Sequence, residues 1–489
     1  MATSKKSLKK NSQPPYKTLK SKVQNRTRQA FVLVGTTEAQ GPILFQLNHF
    51  LANHLKPEAT LLLALSGGLD SCVLLHLLAD LKQKIPFHLY AMHVHHGLSA
   101  NADAWADFCV AQCRELNLPL EVVHVNVEKN SKLGIEATAR KLRYEALFNY
   151  TINNTIDNTQ PDFIVTAHHQ DDQAETLLLQ LLRGAGIKGL ASMATIDKSR
   201  RLLRPLLNVS RSALQDYAKQ HGITWCDDES NENTEFERNF VRHEVLPVVQ
   251  ARYPAIKTVL ARTASHLAEA NDLLDTLAKI DAESILKENK LCLQGLSALD
   301  TPRAKNLLRW WFAKNHLAMP SAEHLSEIVE QLLNAKVDAN VSIQLHLNNQ
   351  AQYLTLKRYQ QNAYLIQTQK TQPFDLAWNG EPLLALPNGG YLQFKQVIGT
   401  GLALKFGMDK LRIANRDGGE RFKPNVLRPT RTLKHLLQEA NIPPWRRDNL
   451  PLIYWHDTLA FVPDIGVAHE LQAAENEPGL EIVWHNPPL

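Results

Sequence analysis

Between about Ala59 and Val165, short apolar runs alternate with amphipathic stretches, and no other feature restricts the fold of this chain as tightly. The runs Leu61–Leu65, His88–His93, Leu120–Val125 and Phe163–Thr166 have strand length. Between them, Cys72–Lys82, Asp103–Leu116 and Ile135–Thr151 repeat apolar residues at spacings of three and four, the period of a helix with one buried face. Strand and helix in strict alternation are what a parallel sheet with crossover helices requires. The expected fold class is therefore α/β, a doubly wound parallel sheet, with its ligand at the carboxyl ends of the strands.

The pattern then changes. From Leu246 to Ala335 helical periodicity dominates, in Leu260–Leu286, Pro302–Asn315 and Ala322–Leu333. Ser342–Leu347, Tyr353–Lys357 and Tyr364–Gln367 alternate as strands do, and turns at Asn379–Gly380 and Asn388–Gly390 continue a β-rich stretch. The polar, acid-rich Asp227–Asn239 reads as an ordered loop or linker. A chain of 489 residues accommodates about three domains. The division is residues 1–40 as a basic disordered extension, 41–245 as the α/β domain, 246–370 as a mainly helical domain, and 371–489 as a linker and a small mixed α+β domain.

Charge supports the separate status of the first segment. Nine basic residues and no acid lie in residues 1–37, so the net charge of +5 comes from the tail; the rest carries 45 basic against 49 acidic side chains. A solvated extension is the plainer reading, and an arm attracted to nucleic-acid phosphates the sharper one. The densest apolar run, Leu61–Leu65, is too short to span a bilayer, so no membrane is expected. Five cysteines, Cys72, Cys109, Cys113, Cys226 and Cys292, form no C-x-x-C pair, and no secretory signal opens the chain, so a reducing cytoplasmic location is expected. Cys109 and Cys113, one helical turn apart, read as packing residues.

The strongest local signal is Ser66-Gly67-Gly68-Leu69-Asp70-Ser71, set between the first strand and the first helix of the alternating region. Glycines let the backbone turn sharply and approach a ligand, and free amides at a helix N-terminus bind phosphate oxygens. Ser66 and Ser71 can add hydroxyl donors. A carboxylate at Asp70 repels phosphate unless a cation intervenes, which assigns it to Mg2+ bridging to the phosphates. Taken alone, such a string is also a plain turn with a capped helix; its strand and helix flanks favour phosphate binding. A Walker loop is excluded, because the Gly-Lys-Ser/Thr ending is missing.

This hexapeptide resembles the PP-loop of the ATP pyrophosphatase superfamily, whose members cleave ATP between the alpha and beta phosphates. Further segments are similar to the tRNA(Ile)-lysidine synthase family. They are His93-Val94-His95-His96-Gly97-Leu98-Ser99, Glu136–Tyr144, Thr166-Ala167-His168-His169-Gln170-Asp171-Asp172-Gln173-Ala174-Glu175-Thr176, Leu182–Gly186, Arg204-Pro205-Leu206-Leu207, and Arg238-Asn239 with Arg242. The likeness is strong over about Leu61–Pro247 and resumes in Arg416–Phe422 and Ile442–Arg447. It implies ATP and Mg2+ as cofactors, with free L-lysine and an isoleucine tRNA carrying a CAU anticodon as partners. The implied reaction adenylylates carbon-2 oxygen of the wobble cytidine and then lets the lysine amine displace AMP. That gives lysidine and changes codon reading to AUA.

Within this scheme Ser66, Gly67, Gly68, Leu69, Asp70, Ser71 and His93 are the ATP-binding candidates. Asp70, Arg143, Asp172 and Glu175 are the catalytic ones. Asp172 and Glu175, three apart on a helix expected to begin at His169, project from one face. They serve either to orient lysine or cytidine, with one acting as base for the amine, or as an ordinary solvated helix face; their place at a strand end favours the first. Arg143 stabilises phosphate by its fork of donors. His93, His95, His96, His168 and His169 also raise a zinc site, which ranks below the nucleotide reading for want of a cysteine pair or an H-E-x-x-H helix; His93 also reads as a core histidine. For tRNA the candidates are Arg303 and Arg309, then Arg428, Arg431, Lys434 and Arg446 around Pro443-Pro444-Trp445, where Trp445 also reads as structural. A homodimer stays open. The alternatives are a sulfur-inserting PP-loop enzyme acting on tRNA, for which Cys109 and Cys113 are the only thiol pair, and a non-catalytic tRNA-binding protein.

Overall fold

The computed structural model describes residues 41–128, 134–150, 160–287, 289–336, 341–348, 352–367, 372–407 and 411–485. The expected basic extension, residues 1–40, lies outside them. The chain divides into two compact units, Met1–Asp272 and Leu273–Leu489.

In the first unit, helix α1 (Pro42–His54) precedes β1 (Ala59–Ala64), α2 (Leu69–Lys82), β2 (Phe87–His95), α3 (Ala102–Glu115), β3 (Leu120–His124), α4 (Ile135–Asn149), β4 (Phe163–Val165) and α5 (Gln170–Leu182). After these come α6 (Ile187–Leu190), β5 (Ile196–Asp197), β6 (Leu202–Leu203) and α7 (Arg211–Gln220). The sheet order is β3-β2-β1-β4-β6-β5, parallel except for the edge pair β5–β6.

Strand β1 shows why the sheet is covered on both sides. Leu61, Leu62 and Leu63 are all wholly buried. Because successive side chains point to opposite faces, Leu61 and Leu63 join one core with α1, α2, α3 and α7, while Leu62 joins Met92, Leu147, Ile164 and Leu202 in the other. Leu61 pairs with Leu89 of β2 on one side and Phe163 of β4 on the other. The chain leaves β1 towards β2 and β3, then returns to lay down β4 on the opposite flank. A topological switch point therefore lies between β1 and β4, with the loop 65–68 and the turn 166–169 on its two sides.

The stretch Asp227–Asn239, expected as an ordered loop, holds a 3-10 turn (Glu229–Glu232) and the start of α8 (Glu237–Phe240). A π-helical turn (Val241–Val245) and α9 (Leu246–Arg252) continue it, and the long α10 (Ile256–Ile285) follows; the division between the units falls within α10.

In the second unit, β7 (Leu286–Lys287), β8 (Lys290–Cys292), α11 (Leu293–Ser297), α12 (Thr301–Lys314), α13 (Ala322–Asn334), β9 (Ser342–His346), β10 (Tyr353–Tyr359) and β11 (Asn362–Ile366) form helices and an antiparallel sheet of order β7-β8-β11-β10-β9. The wholly buried Trp311 and Phe312 of α12 lie in their shared core. The C-terminal part runs β12 (Asp375–Ala377), β13 (Leu383–Ala385), β14 (Tyr391–Ile398), β15 (Leu402–Ala403), β16 (Leu411–Ala414), β17 (Arg421–Phe422), β18 (Arg431–Thr432), α14 (Leu433–Glu439), α15 (Pro444–Arg447), β19 (Leu452–Trp455), β20 (Thr458–Val462), β21 (Gly466–Val467) and β22 (Pro478–His485). Its two larger sheets, β12-β16-β19-β20-β21 and β13-β14-β22-β15, enclose a core with α14.

Candidate active site

The glycine loop closes on itself in a way that sequence alone does not show. Gly67 has φ of +84°, a conformation that side-chain-bearing residues avoid, and Gly68 caps α2. Ser71 is buried, and its hydroxyl donates to the Gly68 carbonyl at 2.9 Å and accepts from the Ser66 amide at 3.2 Å. In this structure Ser71 braces the loop, and Ser66 is the exposed hydroxyl of the pair. Leu69 is buried, with its side chain in the core beneath the loop. His93 is also placed behind the loop: it is 5% exposed, donates from Nδ1 to the Leu65 carbonyl at 3.0 Å, and burial lowers its pKa.

Opposite the loop, the N-terminus of α5 supplies the acids. His169 is its N-cap, with the His169 amide donating to Asp172 Oδ2 at 2.9 Å. The His169 Nε2 atom lies 3.4 Å from Asp70 Oδ2 and 3.5 Å from Asp172 Oδ2, so the ring bridges the two strand ends. Burial alone would lower the His169 pKa, but the hydrogen bond to Asp70 and the charge of Asp172 raise it. Asp172 and Glu175 do share one face, but that face is buried and paired. Arg238 donates from Nη2 to Asp172 Oδ1 and from Nε to Glu175 Oε2, both at 2.7 Å, while Arg242 grips Glu175 Oε1 and Oε2 at 2.6 and 2.9 Å. Burial pushes Asp172 up, yet His169 and Arg238 outweigh it and hold the carboxyl at about 2. A carboxylate held so low is a weak base, which argues against Asp172 as the proton acceptor and for its part in fixing cations.

Arg143 stands apart from this network. It lies exposed on α4 and donates from Nε to His96 Nε2 at 3.3 Å. Burial and the Arg143 charge lower His96 to about 4, so it is neutral and accepts this bond. His96 and its neighbours His95, Gly97 and Leu98, with 124–127, line a cavity of about 410 Å3 at the ends of β2 and β3. His95 binds Asp103 at 2.9 Å, and no group of three or more His, Cys, Asp or Glu able to hold a metal ion is present among the described residues, so the zinc reading has no support there.

Sequence reasoning gave no role to Arg238 and Arg242, although it marked both as part of a family-like string. A spacing of four, placing them on one helical face, was the available signal, and the acid-rich surroundings hid it. In the second unit Arg303 of α12 is paired with the buried Asp281, and Arg309 on the same helix is exposed. Arg428 and Arg431 both pair with Glu439, Lys434 is exposed, and Arg446 pairs with Asp464 at 3.2 Å and lies over the Trp484 ring. Trp445 packs edge-on to Tyr359 and Tyr364.

A glycine loop at a β1–α2 junction, facing acids across the switch point of a parallel sheet, defines an ATP-using PP-loop protein, and residues 41–249 match the PP-loop domain family. Residues 291–364 match the TilS substrate binding domain and 411–484 the TilS substrate C-terminal domain. The chain is 39% identical over 446 residues to a tRNA(Ile)-lysidine synthase of Nitrosomonas europaea, covering 89% of this chain and 94% of that one. It is 40% identical over 448 residues to one of Serratia proteamaculans, covering 90% and 98%. The chain belongs to the tRNA(Ile)-lysidine synthase family.

Proposed function

We propose that this chain joins free L-lysine to carbon-2 of the wobble cytidine in an isoleucine tRNA with a CAU anticodon, consuming ATP and releasing AMP and pyrophosphate. The observation that carries the reading is the unbroken path from the phosphate loop through Asp70, His169 and Asp172 to Arg238, Glu175 and Arg242. It sets phosphate-binding amides opposite a fixed pair of cations, which is what cleavage next to the nucleoside needs. A ring carbonyl is a poor electrophile until its oxygen becomes a leaving group, and the charge that builds on the alpha phosphate needs preorganised donors.

The Gly68 and Leu69 amides and the Ser66 hydroxyl hold the phosphates, with the dipole of α2 behind them. Asp70 Oδ1 is buried with no hydrogen-bond partner, which suits a carboxylate that receives a cation. Mg2+ bound there would neutralise phosphate charge. Arg238 and Arg242, anchored by Asp172 and Glu175, stabilise the developing negative charge from the far side. Arg143 contacts phosphate at the mouth of the cavity beside His96, which has the size of a nucleoside site. Arg309 and Lys434, with Arg303, Arg428, Arg431 and Arg446 exchanging their present carboxylate partners for phosphate, bind the tRNA body through the second unit.

This reading places the protein in the cytoplasm with its tRNA; among the described residues no helix is long and apolar enough to cross a membrane. The test is mass spectrometry of nucleosides from the isoleucine tRNA after incubation with ATP and labelled lysine. A lysine-sized gain on cytidine supports the reading. Sulfur gained on another base, or pyrophosphate released equally well without RNA, overturns it.

A further inference from the structure

One peptide of the phosphate loop is held from behind by two donors that belong to neither the loop nor the substrate. The Gly67 carbonyl accepts the Cys226 amide at 2.9 Å and the Cys72 thiol at 3.2 Å. Gly67 is buried and its α-carbon packs on the third thiol, since a Cβ built there would stand 3.2 Å from Cys109 Sγ. Cys72 is wholly buried on the first turn of α2, and its thiol is the donor in this contact. A trans peptide carries its C=O and N–H on opposite sides. Fixing the Gly67 carbonyl inward therefore turns the Gly68 N–H outward, to the open side of the loop, where among the described residues it makes only a long bond of 3.4 Å to the exposed Ser66 hydroxyl.

We propose that the Cys72 thiol is a positioning residue for ATP, locking the Gly67–Gly68 peptide, together with the Cys226 amide, so that the Gly68 N–H meets a phosphate oxygen. The inference rests on ATP use by the loop and on no later step of the reaction. An S–H donor is weak, but a peptide free to flip would present its carbonyl, a repelling dipole, to the phosphate.

Cys72→Thr and Cys72→Val decide the matter, because the two side chains share a shape and differ by a hydroxyl donor against a methyl. Binding of a non-hydrolysable alpha,beta-methylene ATP analogue is measured by calorimetry, beside the KM values for ATP, lysine and tRNA. Cys72→Val is expected to weaken the analogue about two- to three-fold, the lower end of what one hydrogen bond is worth, with KM for lysine and tRNA unchanged. Cys72→Thr is expected to restore most of that loss. Cys113→Ala, a buried thiol on α3 outside the loop contacts, serves as a control for core damage and should leave analogue binding unchanged. Equal binding by the Val and Thr variants, or a loss in Cys113→Ala as large as in Cys72→Val, overturns the proposal. Wild-type protein that binds the analogue but modifies no tRNA would sink the proposed function and leave this inference standing.

Discussion

Replacing Asp172 with asparagine removes one charge from the centre of the active-site network while nearly preserving shape. In the folded chain the carboxyl is held at about 2, against an ordinary value of 3.8. The difference, at about 1.4 kcal/mol per unit, corresponds to roughly 2–3 kcal/mol of stabilisation by the anion. The folded pKa is depressed, so this contribution is complete above the ordinary value and disappears as pH falls through the folded one. The Asp172→Asn protein should therefore open helix α5 more readily at pH 7, and amides 173–177 should exchange hydrogen about 50-fold faster than in the wild type. Mass spectrometry of exchanged peptides reads this locally, which suits a chain of two units better than a global melt. Comparing the two proteins at each pH cancels the intrinsic exchange rate. The ratio should hold from pH 7 down to about 5 and shrink towards one between about pH 4 and pH 2, where the wild-type carboxyl also becomes neutral. Equal exchange at pH 7, or a ratio indifferent to acid, would refute the claim that paired charge holds this helix terminus.

Asp70→Ala is expected to abolish pyrophosphate release while leaving tRNA affinity, measured by filter binding, within about two-fold, since phosphate contacts elsewhere carry the RNA. Gly67→Ala must place a Cβ at φ +84°, 3.2 Å from Cys109 Sγ; strain of about 1–2 kcal/mol should shift the loop and raise the ATP KM roughly ten-fold. Glu175→Gln leaves Arg238 and Arg242 side by side with Asp172 as their remaining anion, and urea unfolding of the first unit should show a loss of about 2–3 kcal/mol, with lysine transfer falling more steeply than ATP binding. The double change Arg428→Gln with Arg431→Gln should weaken tRNA binding and reduce the slope of log affinity against log salt by about 0.7 for each phosphate contact removed.

What the sequence disclosed and what it withheld divide along contact distance. The alternation that announced the doubly wound sheet is local, and β1, β2, α2 and α3 fall within two or three residues of where their periodicity put them. The phosphate loop was legible for the same reason: its glycines, its strand and its helix are contiguous. The two-residue strands β5 and β6 are too short to show any period, and the small hairpin β7–β8 was absorbed into the end of a helical reading. The long ladder from Tyr391–His485 to Ile398–Pro478 joins residues 80 to 94 positions apart, so only its turns were visible beforehand. Arg238 and Arg242 escaped because their partners lie more than sixty residues away. Nothing local distinguishes an arginine that anchors a buried glutamate from one on a solvated loop.

The same contrast explains how the site is assembled. A strand such as β1, with Leu61, Leu62 and Leu63 all sealed in two cores, has no freedom to move its carboxyl end, so the loop beyond it is fixed by packing rather than by ligand. Beta-strand β4 is only three residues long, yet it pairs with β1 on one side and β6 on the other, which sets the opposite wall of the crevice with equal firmness. Between the walls, two carboxylates face two guanidinium groups, so the network satisfies its own charges before any substrate arrives. On the proposed function, such a site carries little reorganisation cost when ATP binds, because the cations are held in place by their carboxylates and the Gly68 amide faces the open side of the loop. The folding of one strand and the stabilisation of one phosphate are therefore successive consequences of the same buried leucines.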